Sequence, residues 1–124
     1  MSDRVIGLDH VDIVVGNPDE MAAFLAVVGF RVIRRTAGTR GSIELAFPGS
    51  DIVLELTPSR RTDGESLDLG LRHLALRCDD LDAAVAELTA AGFAFTGPAR
   101  TIADTGRRVA NVTDPDGRIL QFTE

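Results

Sequence analysis

Apolar and polar residues alternate along this 124-residue chain in eight short stretches, interrupted twice by helical spacing. The first stretch is Leu8-Asp9-His10-Val11-Asp12-Ile13-Val14-Val15, and Leu71-Arg72-His73-Leu74-Ala75-Leu76-Arg77-Cys78 echoes it 63 residues later. Period-two alternation marks a strand with one buried face. After the first strand, Asn17 suits an N-cap, Pro18 the first helical position and Glu20 the capping-box position. Met21, Phe24, Leu25 and Val28 then recur at helical spacing, and Gly29 ends the helix. Strands are predicted at Phe30 to Arg35, Ile43 to Phe47 and Ile52 to Leu56, with turns around Gly38 and Gly41 and at Pro48-Gly49-Ser50.

The second half repeats the plan. Asp80 is the predicted N-cap, Leu81, Val85 and Leu88 the helical stripe, and Gly92 the stop. Phe93-Ala94-Phe95, Val109 to Val112 and Ile119 to Thr123 read as strands, with a turn at Asp114-Pro115-Asp116-Gly117. Gly29-Phe30 and Gly92-Phe93 share the 63-residue offset of the histidines, which argues for internal duplication. The pattern predicts an α+β chain of two tandem βαβββ modules, about 5–57 and 70–124, joined by a polar connector at about 58–69.

Alternation also assigns faces. Val11, Ile13 and Val15 belong under the first helix, as do Leu54 and Leu56; Leu74, Leu76, Cys78, Leu120 and Phe122 belong under the second. His10, Asp12, Glu55, His73, Arg77 and Gln121 then leave the helix-covered faces. Glu44 and Asn111 share that polar parity on their own strands.

Composition narrows the function. A net charge of −6 disfavours nucleic acid and anionic membrane surfaces as partners. No apolar run is long enough to span a bilayer, and the N-terminus lacks the features of a signal peptide. Cys78 is the only cysteine, which fits a reducing cytoplasm. All basic side chains are arginine, so lysine chemistry is absent.

The repeated Leu-Asp/Arg-His segments, the two Gly-Phe pairs, Leu54-Glu55-Leu56 and the ending Asp114-Pro115-Asp116-Gly117-Arg118-Ile119-Leu120-Gln121 resemble the vicinal oxygen chelate superfamily. That family includes glyoxalase I, methylmalonyl-CoA epimerase, extradiol dioxygenases and the bleomycin and fosfomycin resistance proteins. The resemblance implies curved mixed sheets that form a cup. It also implies one divalent metal held by the first and last strand of each module. Carried over, the ligands are His10, Glu55, His73 and Gln121. The departure is Gln121, where glyoxalase and epimerase relatives usually carry a glutamate that also moves a proton. An amide oxygen can ligate, but it cannot act as a base.

The expected site follows. Two imidazoles, a carboxylate and an amide suit Ni, Co, Mn or Fe(II), with Zn possible. Glu55 or Glu44 is the candidate base, although an exposed edge position for Glu44 is slightly favoured. Asp12, Arg77 and Asn111 are candidate substrate contacts, and Asp12 could instead support a ligand. Cys78 is expected in the core, and Arg34-Arg35 and Arg60-Arg61 in solvent.

The favoured reading is a metal-dependent lyase or isomerase, moving a proton next to a chelated carbonyl of a small molecule with vicinal oxygens. Two alternatives stand beside it: a non-haem Fe(II) dioxygenase, and a metal-free binding protein of the antibiotic-resistance type. The absence of Trp and Tyr weakens the last, because flat ligands are held by aromatic stacking. A homodimer is also expected, with His10 and Glu55 from one chain meeting His73 and Gln121 of the other.

Overall fold

The computed structural model describes residues 2–36, 41–60, 62 and 64–124, so Gly38 and Arg61 lie outside the described residues. The fold is α+β, with mixed pairing and two helices. In chain order the elements are β1 (Val5–Val15), α1 (Pro18–Val28), β2 (Arg31–Arg35), β3 (Ile43–Ala46), β4 (Val53–Pro58), β5 (Gly70–Cys78), α2 (Leu81–Ala90), β6 (Arg100–Thr101), β7 (Arg108–Thr113) and β8 (Ile119–Thr123). They gather into two compact units. One is His10–Arg72; the other combines Met1–Asp9 with His73–Glu124.

In the His10–Arg72 unit, the strand order is β2-β3-β4-β1, with β1 and β4 parallel and the other pairs antiparallel. Asn17 caps α1 by accepting the Glu20 N–H at 3.1 Å, and Pro18 occupies the first turn. Gly29 ends α1 with φ +123°, and a Cβ there would lie 2.9 Å from the Phe47 ring. Glycine is therefore required by conformation and by space. Val15, Ala22, Ile43, Leu45 and Leu56 form the core, joined by Ile13, Met21, Leu25 and Leu54. The predicted core parity holds for Ile13, Val15, Leu54 and Leu56, whereas Val11 is not among these core residues. The helical stripe needs correction: Phe24 and Val28 are exposed, and α1 buries Ala22 instead.

In the other unit, the order is β5-β8-β7-β6, with β5 and β8 parallel. Asp80 caps α2 by accepting the Ala83 N–H at 3.0 Å. Cys78, Leu81, Ala84, Ala110, Val112 and Phe122 make its core. The strand expected at Phe93-Ala94-Phe95 does not form, and β6 lies further along. The helix end takes those residues. Gly92, at φ +105°, donates to the Thr89 carbonyl, and Phe93 donates to that of Leu88. These two bonds satisfy the last carbonyls of α2. Phe95 turns its ring to Phe122, at 5.7 Å between centroids. Leu74 also departs from expectation: it is exposed rather than packed under α2.

At Asp114 the side chain accepts the N–H groups of Asp116 and Arg118, and Gly117 sits at φ +84°. This turn sets the register of β7 on β8 and so fixes Asn111 opposite Gln121. Among the described residues, no helix is long and apolar enough to cross a membrane.

Candidate metal and acid–base site

Register builds the first half of the site. Glu55 on β4 pairs with Asp12 on β1 and with Glu44 on β3. One row across three strands therefore carries three carboxylates, exposed by only 0%, 1% and 1% for Asp12, Glu44 and Glu55. The exposed-edge reading of Glu44 is overturned, because β2 covers the outer side of β3. His10 shares the face, with its Nε2 at 3.8 Å from Glu55 Oε1.

Buried carboxylates need compensation. Thr57 Oγ1 donates to Asp12 Oδ1 at 2.6 Å, and Arg72 Nη1 donates to Oδ2 at 3.3 Å. Arg34 Nη1 lies 3.9 Å from Glu44 Oε2, so Arg34 is an ion-pair partner rather than a purely solvated charge. Arg35 pairs with Asp19 at 2.8 Å. Even so, burial and then the charge of Glu55 push the Asp12 carboxyl up from 3.8 to about 7, against the pull of Thr57 and Arg72.

The second half is built on the same plan with different chemistry. Gln121 on β8 pairs with Ala75 on β5 and Asn111 on β7. By the repeat, Ala75 stands for Asp12, Gln121 for Glu55 and Asn111 for Glu44. Where one row carries three carboxylates, the equivalent row carries an alanine and two amides. His73 and Gln121 are buried. Asn111 Oδ1 is buried without a hydrogen-bond partner. Arg77 Nε donates to Asp9 Oδ1 at 3.2 Å, and Arg107 Nε lies 3.5 Å from Asp9 Oδ2. Arg77 is therefore held by a carboxylate of its own unit rather than extended into solvent. Cys78 is buried in the core, and burial raises its thiol pKa.

The donor set suits a metal. Two ligands bound at about 2.1 Å sit roughly 3 Å apart at right angles. The 3.8 Å between His10 and Glu55 is too long for a hydrogen bond and needs only a small closure to reach that geometry.

Sequence reasoning passed over Ser42, Arg72 and Arg107. Ser42 could have been found, since it shares the parity of Glu44. Arg72 and Arg107 could not, because ordinary arginines reveal no partner until the strands are paired.

The family model for the Glyoxalase/Bleomycin resistance protein/Dioxygenase superfamily matches residues 7–122. The uncharacterized protein YwkD of Bacillus subtilis (strain 168) is 37% identical over 126 residues, covering 94% of this chain and 95% of its own. Among solved structures, methylmalonyl-CoA epimerase from Mycobacterium tuberculosis superposes with a TM-score of 0.81 at 23% identity, over 100% of this chain and 91% of that one. The Streptomyces coelicolor methylmalonyl-CoA epimerase in complex with 2-nitronate-propionyl-CoA gives 0.78 at 20% identity, over 96% of each chain. At such identities the structures show the shared fold. With its family model matched almost end to end, this chain belongs to the Glyoxalase/Bleomycin resistance protein/Dioxygenase superfamily.

Proposed function

We propose that residues 1–124 act as one domain of two modules and form an epimerase-like, metal-dependent enzyme. Its reaction moves a proton on the carbon beside a chelated carbonyl. The observation that carries this reading is the buried row Asp12, Glu55, Glu44, with His10 on the same face. A binding protein gains nothing from burying three carboxylates together, whereas a cation and a proton shuttle both use them.

The proposed ligands are His10, Glu55 and His73, a set able to hold a metal ion, with Gln121 as the fourth. Ni, Co, Mn, Fe(II) or Zn suits two imidazoles, a carboxylate and an amide. An ion held there would supply Lewis acidity to a substrate carbonyl.

The chain's own residues do the rest. Glu44 accepts the proton from carbon, steadied by Arg34. Glu55 holds the ion, and Asp12 positions Glu55. Asn111 offers its carbonyl oxygen to an O–H or N–H of the substrate, and Arg77 lies on the same face for an anionic end. Arg77 already binds Asp9, so the anion would add to that pair rather than replace it.

The test is deuterium incorporation at carbon, followed by NMR in D2O with metal-loaded protein. The panel is methylmalonyl-CoA, 2-hydroxy- and 2-oxoacyl thioesters and the glutathione–methylglyoxal adduct. Exchange that needs both metal and Glu44 supports the reading; no exchange with any of them overturns it. A second reading, a non-haem Fe(II) dioxygenase, draws on the two-histidine, one-carboxylate set. Oxygen uptake with Fe(II) and a catechol, without proton exchange, would select it.

A homodimer in the cytoplasm completes the proposal.

A further inference from the structure

Ser42 stands immediately before β3 and is only 1% exposed. Its backbone is fully engaged. The Ser42 N–H donates to Thr36 Oγ1 at 2.8 Å, and its carbonyl accepts the Thr36 N–H at 2.9 Å. Its side chain is not: Ser42 Oγ is buried without a hydrogen-bond partner. A buried hydroxyl left unsatisfied costs stability, and native proteins rarely tolerate one unless something outside the chain satisfies it. Ile43 points into the core under α1, so Ser42 shares the opposite face with Glu44, two residues on.

We infer that Ser42 is a specificity residue whose hydroxyl donates to a neutral oxygen of the ligand that Glu44 serves. This rests on the proposed proton transfer and adds the ligand's chemistry. Successive residues on one strand face are about 6.6–6.8 Å apart. The acceptor therefore lies a few bonds from the carbon that loses its proton. Glu44, Glu55 and Asp12 populate the same face, and a substrate carboxylate at Ser42 would meet like charge. A carbonyl, ester or hydroxyl oxygen would not.

Two measurements test this. The first is thermal unfolding of metal-free Ser42→Ala without ligand. The expected Tm equals or exceeds that of wild type, because no protein bond is lost. A Tm several degrees lower makes the hydroxyl structural and overturns the assignment. The second is calorimetric affinity of metal-loaded protein for methylmalonyl-CoA, 2-hydroxyacyl thioesters and the glutathione–methylglyoxal adduct. The ligand that binds best should lose about five- to tenfold in affinity in Ser42→Ala, the range expected for one hydrogen bond. Ser42→Thr, which keeps the hydroxyl, should recover most of it. Unchanged affinity in Ser42→Ala, or a wild type that binds none of the panel, overturns the inference. Because the readout is affinity, failure of proton transfer with an intact Ser42 effect remains visible as a separate result.

Discussion

Asp12 and Glu55 stand opposite each other on the parallel pair β1 and β4, both sealed from solvent. Two carboxylates in that position oppose each other's ionisation, and Asp12 carries the consequence, with its pKa raised from 3.8 to about 7 by burial and then by Glu55. A group whose folded pKa is raised contributes stability that is complete below its unfolded value and is lost as pH rises through the folded one. Metal-free wild type should therefore lose stability between about pH 4 and 7 relative to Asp12→Asn. The loss should be a few kcal/mol, because each tenfold change in proton affinity is worth about 1.4 kcal/mol. Urea unfolding of both proteins across that range measures it. Parallel curves would show that Asp12 ionises freely.

Metal occupancy should depend on both histidines. One divalent ion per chain is expected after incubation with Ni, Co, Fe(II) or Zn, read by elemental analysis of untagged protein. His10→Ala and His73→Ala should each weaken binding by more than the roughly 10–100-fold that loss of a supporting group costs. Wild type that stays empty would remove the metal from the mechanism.

Mixing the two variants tests where the site is built. A single-chain site predicts that His10→Ala and His73→Ala chains stay metal-poor together. Restored metal at one ion per pair of chains would show that two chains share a site. Light scattering should give twice the mass of the chain in either case.

Glutamine at position 121 should shape the chemistry. Restoring a carboxylate with Gln121→Glu keeps the metal and is expected to gain or enhance carbon-proton exchange in D2O. Glu44→Gln should lose exchange by about 100-fold or more, the scale of a lost general base, while retaining metal. Equal exchange in Glu44→Gln and wild type would move the base elsewhere.

Phe122 should be costly to truncate. It is buried with Phe95 and Phe93 against it, so Phe122→Ala should destabilise by about 3–5 kcal/mol. A loss below about 1 kcal/mol in chemical unfolding would mean that the second core collapses around the gap.

Much of the molecule could be read from its residues alone. Asn17 and Asp80 announced both helices because a cap is a local contract between a side chain and an N–H three residues on. Alternation placed His10, Glu55, His73 and Gln121 away from the cores, because parity along a strand needs no partner. Local signals failed where a competing partner decided. Phe93 closes the end of α2 and Phe95 packs on Phe122, so their strand-like spelling counted for little. Phe24 fits the helical stripe but faces water. That the carboxylates stand side by side was beyond the sequence, although parity already turned Asp12, Glu44 and Glu55 to the polar face. Asp12, Glu44 and Glu55 lie up to 43 residues apart in the chain, and only cross-strand register sets them side by side. The same pairing buried Glu44, gave Asp12 its raised pKa and left Ser42 Oγ without a partner. Residue type and parity determined which groups could do chemistry; strand pairing decided which of them meet, because proximity and desolvation exist only in the folded chain.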